Sequence, residues 1–197
     1  MSGHVSDLVS LESTRRRLTP KQADTIHRLS AAAVAVLARE GFGGLTIRLV
    51  AAEAGMGAAT AYTYFSSKEH LVAEVFWRRL ASVPAPTNGP DSTAADRAAA
   101  VLRQVALLGA DEPEFAGAVT AALRGNEPNV AHLRDRIGRE IRDRLEQALG
   151  PDHNPEVAGA LELLLTGALV YAGMGYASCT QVVEQLETAV GLLFRRR

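Results

Sequence analysis

One cysteine, Cys179, stands in the whole 197-residue chain, so no disulfide can form within it and a reducing cytoplasm is its natural setting. A buried, inert thiol is its expected role. Glycine-rich phosphate loops are missing. His4, His27, His70, His132 and His153 lie scattered without the spacing of metal ligands, and Cys179 has no evident activating base, so neither a metal nor a cofactor is expected. An enzyme would have to assemble its site from residues distant in sequence. No segment alternates apolar and polar residues at the period of a strand, and no internal repeat appears. The opening MSGHVSDLVSLESTRRRL lacks the apolar centre of a signal peptide, so export is not expected.

What is present argues for helices around a sizeable core. Hydrophobic residues make up 47% of the chain, which excludes general disorder. The net charge of -1 is unevenly spread: residues 1–80 hold 10 Lys and Arg against 7 Asp and Glu, and residues 81–197 hold 11 against 15. A mildly basic first part and an acidic second part suit a module that meets phosphate, fused to one that need not. Residues 1–18 read as a flexible basic arm ending in Arg15, Arg16 and Arg17, placed either to lie on DNA or to remain a solvated tail. Thr19, Pro20 and Gln22 open the first helix with a capping box, and Gly41 is its expected C-cap. Ser82 to Ser92 carries three prolines and a glycine, a natural boundary.

Between these features lies the informative stretch, LTIRLVAAEAGMGAATAYTYFSSKEHL, residues 45–71. Thr46 is the expected N-cap of a helix whose apolar stripe is Ile47, Val50, Ala51 and Ala54, and Gly55 supplies the left-handed residue that stops it. A second helix follows from about Gly57 to Tyr64, too short to stand without a neighbour. Ser66 and Glu69 read as a capping box opening a further helix. Two short helices around a glycine turn form a helix-turn-helix, which sets its second helix in the DNA major groove.

At Thr46, Ala54, Gly55, Met56, Thr60, Tyr62, Tyr64, Phe65, Lys68, Glu69 and Leu71 the chain resembles the TetR family of bacterial transcriptional regulators. The resemblance implies an all-α fold: a three-helix DNA-binding domain over residues 19–65, a connecting helix over 66–81, and a helical effector-binding and dimerisation domain over 93–197. It further implies that Thr46, Tyr62 and Lys68 hold phosphates of double-stranded DNA, while Ala58, Ala59, Thr60 and Thr63 face or flank the bases and Tyr64 does either. Gly57, Ala58 and Ala59 depart from the usual pattern, offering a weak cap and no base-directed hydrogen bonds. Leu49 stands where an acidic residue is common, and Ser66 where proline is.

The rest reads as helices over 93–109, 113–124, from Pro128 to Gly150, Pro155 to Ser178 and Gln181 to Arg197. From Leu163 to Val183 no side chain carries a formal charge, yet Thr166, Ser178, Thr180 and Gln181 interrupt the run, so burial against the domain and a partner is expected rather than a membrane span. The resemblance implies a homodimer through segments 155–178 and 181–197; the same pattern also suits the core of a monomer. It implies, too, a cavity for an unidentified small-molecule effector, apolar or amphipathic. Trp77, Phe115, Tyr171, Met174 and Tyr176 are the candidates to line it, and each equally suits simple core. A DNA-binding architectural protein without effector is the other reading of these features.

Overall fold

The computed structural model describes residues 19–195 apart from 88, 90 and 111; the expected arm residues Arg15, Arg16 and Arg17 lie outside the described residues. Among those described there are helices and no strands. They are α1 (Pro20–Gly44), α2 (Ile47–Glu53), α3 (Ala58–Tyr64), α4 (Lys68–Ser82), α5 (Ala94–Ala106), a 3-10 turn (Leu107–Gly109), α6 (Pro113–Leu123), α7 (Pro128–Leu149), α8 (Pro155–Gly173) and α9 (Cys179–Phe194).

Helix α1 begins as its sequence dictates, with the full Thr19–Gln22 capping box, and kinks at Gly41, where φ is 62°. It buries Ile26, Leu29, Ala33, Val36 and Leu37 against α2, α4 and α6. Helix α4 then packs on α1, α6 and α7, so the connecting helix belongs to both parts. A single apolar cluster accordingly runs from Ile26 and Leu29 through Leu71 and Phe76 to Leu161 and Val190. The described residues between Val83 and Thr93 are non-helical, as the prolines in this stretch require.

Two expected boundaries are corrected. Helix α4 is capped by Ser67, whose side chain accepts the His70 N–H at 3.0 Å, not by Ser66 with Glu69. Ser66 faces outward, its Oγ donating to Glu127 Oε1 at 3.0 Å and its N–H to His70 Nδ1 at 3.2 Å. Helix α8 ends at Gly173 rather than continuing to Ser178. Gly175, with φ 78°, lets the Tyr176 and Gly175 N–H groups fold back on the Tyr171 and Ala172 carbonyls, the Schellman arrangement that terminates a helix. Ser178 and Gln181 then form a capping box, so α9 starts at Cys179, two residues earlier than expected.

Gly173 is also where α8 crosses α6. A Cβ there would collide with Thr120 Oγ1 and stand 2.7 Å from Thr120 Cβ, so the two backbones meet at this distance only with glycine.

Helix ends elsewhere are finished by cations from neighbouring helices. The last carbonyls of a helix lack intrahelical donors. Arg28 Nη2 donates to Ala54 O at 2.7 Å, Lys68 Nζ to Phe42 O at 2.8 Å, and Arg97 Nε to Ala148 O at 2.6 Å. Arg79 reaches Leu108 O at 3.1 Å, and Arg134 reaches Leu123 O at 2.6 Å. Arg144 is the buried case: its Nη2 donates to Leu80 O at 2.8 Å, Nη1 to Gln104 at 3.1 Å and Nε to Glu140 at 2.7 Å, joining α4, α5 and α7.

Arg144→Ala leaves the Leu80 carbonyl without its donor and is expected to lower stability by about 1.5–3 kcal/mol, the range for hydrogen bonds to a charged group. An unchanged urea midpoint would contradict this role. His70 gives a pH test. Burial pushes its pKa below the ordinary 6.5, more than the carboxylates of Glu127 and Glu74 raise it. The unfolded chain therefore takes up the proton first, and stability falls as pH drops below the ordinary value and through the folded one. Urea midpoints taken between about pH 7 and pH 5 should fall less for His70→Asn, which keeps an acceptor for the Ser66 N–H and does not titrate.

Candidate nucleic-acid interface and ligand cavity

Helices α2 and α3 have seven residues each, too few to be stable alone, so the turn between them must be held from outside. Gly55, with φ 65°, closes a Schellman turn in which Met56 N–H donates to Ala51 O at 2.8 Å and Gly55 N–H to Ala52 O at 3.0 Å. Arg28 of α1 fastens the same turn at Ala54. Beneath it Val50, Ala51, Ala61 and Phe65 are buried, which fixes which side of α3 faces out.

That outward side carries Ala59, Thr60, Tyr62 and Thr63, with Ala58 half-buried at its edge. Tyr62 is 51% exposed, an unusual setting for so large a ring. Thr63 Oγ1 donates to its own helix at Thr60 O, 2.6 Å away, leaving its lone pairs outward. Gly57 provides no side-chain cap, so the first N–H groups of α3 have no side-chain partner at that position. Tyr64 is half-buried and packs against the core, which favours support over contact.

Thr46 is an exposed N-cap, its Oγ1 accepting the Leu49 N–H at 3.2 Å. Lys68 sits at the first position of α4, but its ammonium is turned back to Phe42, donating to the carbonyl and lying 4.5 Å from the ring centroid. Two of its three protons remain for another acceptor. Sequence reasoning passed over Arg48. It is exposed, two residues beyond Thr46, and makes no hydrogen bond or ion pair among the described residues. An arginine on the polar side of α2, just inside its N-terminus, was the available signal.

Behind this face lies the junction with the second part. Glu127 precedes α7 and caps it, accepting the Val130 N–H at 2.8 Å; it also accepts from Ser66 Oγ and from Asn129 Nδ2 at 2.8 Å. Desolvation raises its carboxyl pKa, but these hydrogen bonds outweigh that and hold it below the usual range. An ionised acceptor thus ties the α3–α4 corner to the loop between α6 and α7.

A cavity of about 640 Å³ opens between α6, α7 and α8. Phe76, Phe115, Val119, Ile137, Ile141 and Leu169 form its apolar interior, and Cys179 reaches it with a half-buried thiol whose pKa burial raises. Of the five expected lining residues, Phe115 is there. The other four are corrected: Trp77 lies off the cavity with Arg136 stacked 4.4 Å above its ring, while Tyr171, Met174 and Tyr176 are 46%, 52% and 68% exposed around the turn that ends α8. Tyr171 stands in the last turn of α8, and Met174 and Tyr176 follow it in the turn that ends the helix. Tyr171 and Tyr176 stack on each other at 5.1 Å. No group of three or more His, Cys, Asp or Glu among the described residues is arranged to hold a metal ion.

Comparison with known proteins places this geometry. Residues 29–75 match the family model for bacterial regulatory proteins of the tetR family. An uncharacterised HTH-type transcriptional regulator of Mycobacterium tuberculosis is 45% identical over 177 residues, 88% of this chain and 82% of the relative. The HTH-type transcriptional repressor KstR of Rhodococcus jostii is 26% identical over 178 residues, 87% of this chain and 84% of that protein. Among solved structures, a TetR transcriptional regulator from Rhodococcus sp. RHA1 superposes with a TM-score of 0.69 at 23% identity, over 85% of this chain and 95% of the other. The helix-turn-helix built by α2 and α3 is thus the reading head of a DNA-binding transcriptional regulator, and the chain belongs to the TetR family.

Proposed function

We propose that the protein is a soluble, cytoplasmic, ligand-responsive repressor that binds a palindromic operator as a homodimer and is released when a small apolar or amphipathic molecule enters the cavity of its second part. The observation that carries this reading is the Ser66–Glu127 link, which joins the α3–α4 corner to the loop leaving the cavity wall. Repression draws support from the likeness to KstR, a named repressor.

On the DNA side, Thr46, Tyr62, Lys68 and Arg48 hold phosphates, and Thr60 and Thr63 with Ala58 and Ala59 meet the base edges. Hydroxyls, an ammonium and a guanidinium suit phosphate oxygens. With two alanines leading α3, sequence discrimination leans on the threonines, on thymine methyls and on DNA shape.

For the dimer, the support is the outer side of α8 and α9. Leu163 is 76% exposed and Leu192 and Leu193 are 61% and 52%, an apolar surface that a second copy would cover. Helix α8 is apolar enough by length and composition to cross a membrane, with a mean hydropathy of 1.4 in its most apolar window. Burial between two copies accounts for the same composition.

Bound DNA fragments selected from the genome by the purified protein would give the operator; recovery of no enriched palindrome overturns the reading. Lys68→Ala and Arg48→Ala are each expected to weaken binding to all sequences and to lower the salt slope by about one unit, whereas Thr60→Ala shifts sequence preference. Thermal melts of the Lys68 variant report separately what its bond to Phe42 contributes. Leu163→Arg is expected to yield monomers by light scattering and to abolish binding to the full palindrome; a dimer that persists would rule out this interface.

A further inference from the structure

We propose that the cavity takes a molecule with an apolar body and an anionic head, the head held at the mouth by Arg124, Arg134 and Arg139. This rests on the ligand-responsive reading and names the chemistry of its ligand.

The interior described above is apolar, but the exposed residues at its opening are mostly arginines: Arg124, Arg134, Arg139 and Arg142 against the carboxylates of Asp135 and Glu162. They differ in what they already hold. Arg142 is spent on Glu162, with Nε 3.0 Å and Nη2 2.5 Å from the same oxygen, closing one side of the mouth from α7 to α8. Arg139 uses only Nε, on the Asp135 carbonyl of its own helix at 3.3 Å, so both of its Nη groups are available. The guanidinium of Arg124 makes no hydrogen bond or ion pair among the described residues. Unspent guanidiniums converging on the rim of an apolar cavity present several donors with positive charge, a match for a carboxylate or phosphate. A neutral apolar ligand would leave them without use, and a cationic one would be repelled.

Arg134 gives the site a consequence. Its Nη1 donates to Leu123 O at 2.6 Å and to Gly125 O at 3.3 Å, holding the loop that follows α6. An anion taken by the remaining Nε and Nη2 donors of Arg134 draws the guanidinium toward the mouth and away from those carbonyls. Glu127, two residues beyond Gly125, is the residue that holds Ser66 beside the reading head. Occupation of the mouth therefore loosens the segment on which the position of the α3–α4 corner depends, and the ligand acts through its differential contact with the two arrangements.

Carboxylate and phosphate heads share this chemistry, so three probes with one tail are required: palmitic acid, palmitoyl-coenzyme A and the neutral methyl palmitate, each titrated calorimetrically into the full-length protein below its aggregation threshold. At least one anionic probe is expected to bind about tenfold or more tightly than the ester, and the tighter of the two identifies the head. Arg124→Ala combined with Arg139→Ala should remove that advantage while leaving ester binding unchanged, and Arg124→Glu should do so more strongly. Equal binding of ester and anions, or binding of neither anion, overturns the proposal. Operator release by cell extract is measured in parallel: release by extract with no binding of either anion leaves the regulator reading intact and refutes only the ligand class. Absence of release by extract and probes alike, with anions still binding, sustains the site and refutes the ligand-responsive reading.

Discussion

The structure depends throughout on one interaction, the donation of an arginine or lysine side chain from one helix to the unsatisfied carbonyls at the end of another. Helices of seven to 25 residues leave their final carbonyls exposed to whatever lies nearby, and here that neighbour is a cation. Each such bond does two things. It satisfies a polar group that packing would otherwise strand, and it fixes the end of one helix against the body of the next. Lys21 and Lys68 are the chain's lysines, so nearly all of its positive charge is carried on guanidiniums, whose several donors can serve two or three acceptors at once. Arg144, serving α4, α5 and α7 together, is the fullest example.

This interaction explains how so slight a reading head is held. Helices α2 and α3 bury Ile47, Val50, Ala51 and Ala61 but have no stability of their own. Arg28 clamps the turn between them, and Lys68 clamps the end of α1 from the start of α4. The head is in this way referred to α1 and α4, and α4 is in turn packed on α6 and α7, the walls of the cavity. Two independent ties, the shared apolar cluster and the Ser66–Glu127 bond, therefore connect the helix-turn-helix to the helices that wall the cavity. The proposed ligand response therefore needs no separate hinge: it would act through how α6 and α7 are joined, which these two ties connect to the reading head.

The reading head was largely legible in sequence because its signals are local. Thr46, Gly55 and the stripe of Ile47, Val50 and Ala51 speak within one or two turns, where capping and periodicity operate. The Thr19–Gln22 box was legible for the same reason. At Ser66 and Ser67 the same rule misled by one residue, since Ser66 is engaged instead by His70, Asn129 and Glu127, the last 61 positions away. The cavity was the least legible part. Trp77, Tyr171, Met174 and Tyr176 are the residue types that line apolar sites, but Gly175 ends α8 early, and the last three stand exposed in its final turn and just beyond.

Composition and short-range pattern by themselves determined that the chain is helical, and that its first part carries a helix-turn-helix whose second helix offers threonines, a tyrosine and little else on its outer side. These follow from backbone preferences and side-chain periods that act over a few residues. Tertiary structure alone decided which arginines are spent on carbonyls and carboxylates and which, as at Arg124 and Arg139, are left with free donors around a cavity. A guanidinium at the end of a long side chain chooses its partner by what folding brings within about 3 Å of it, and that choice leaves no mark on the local sequence.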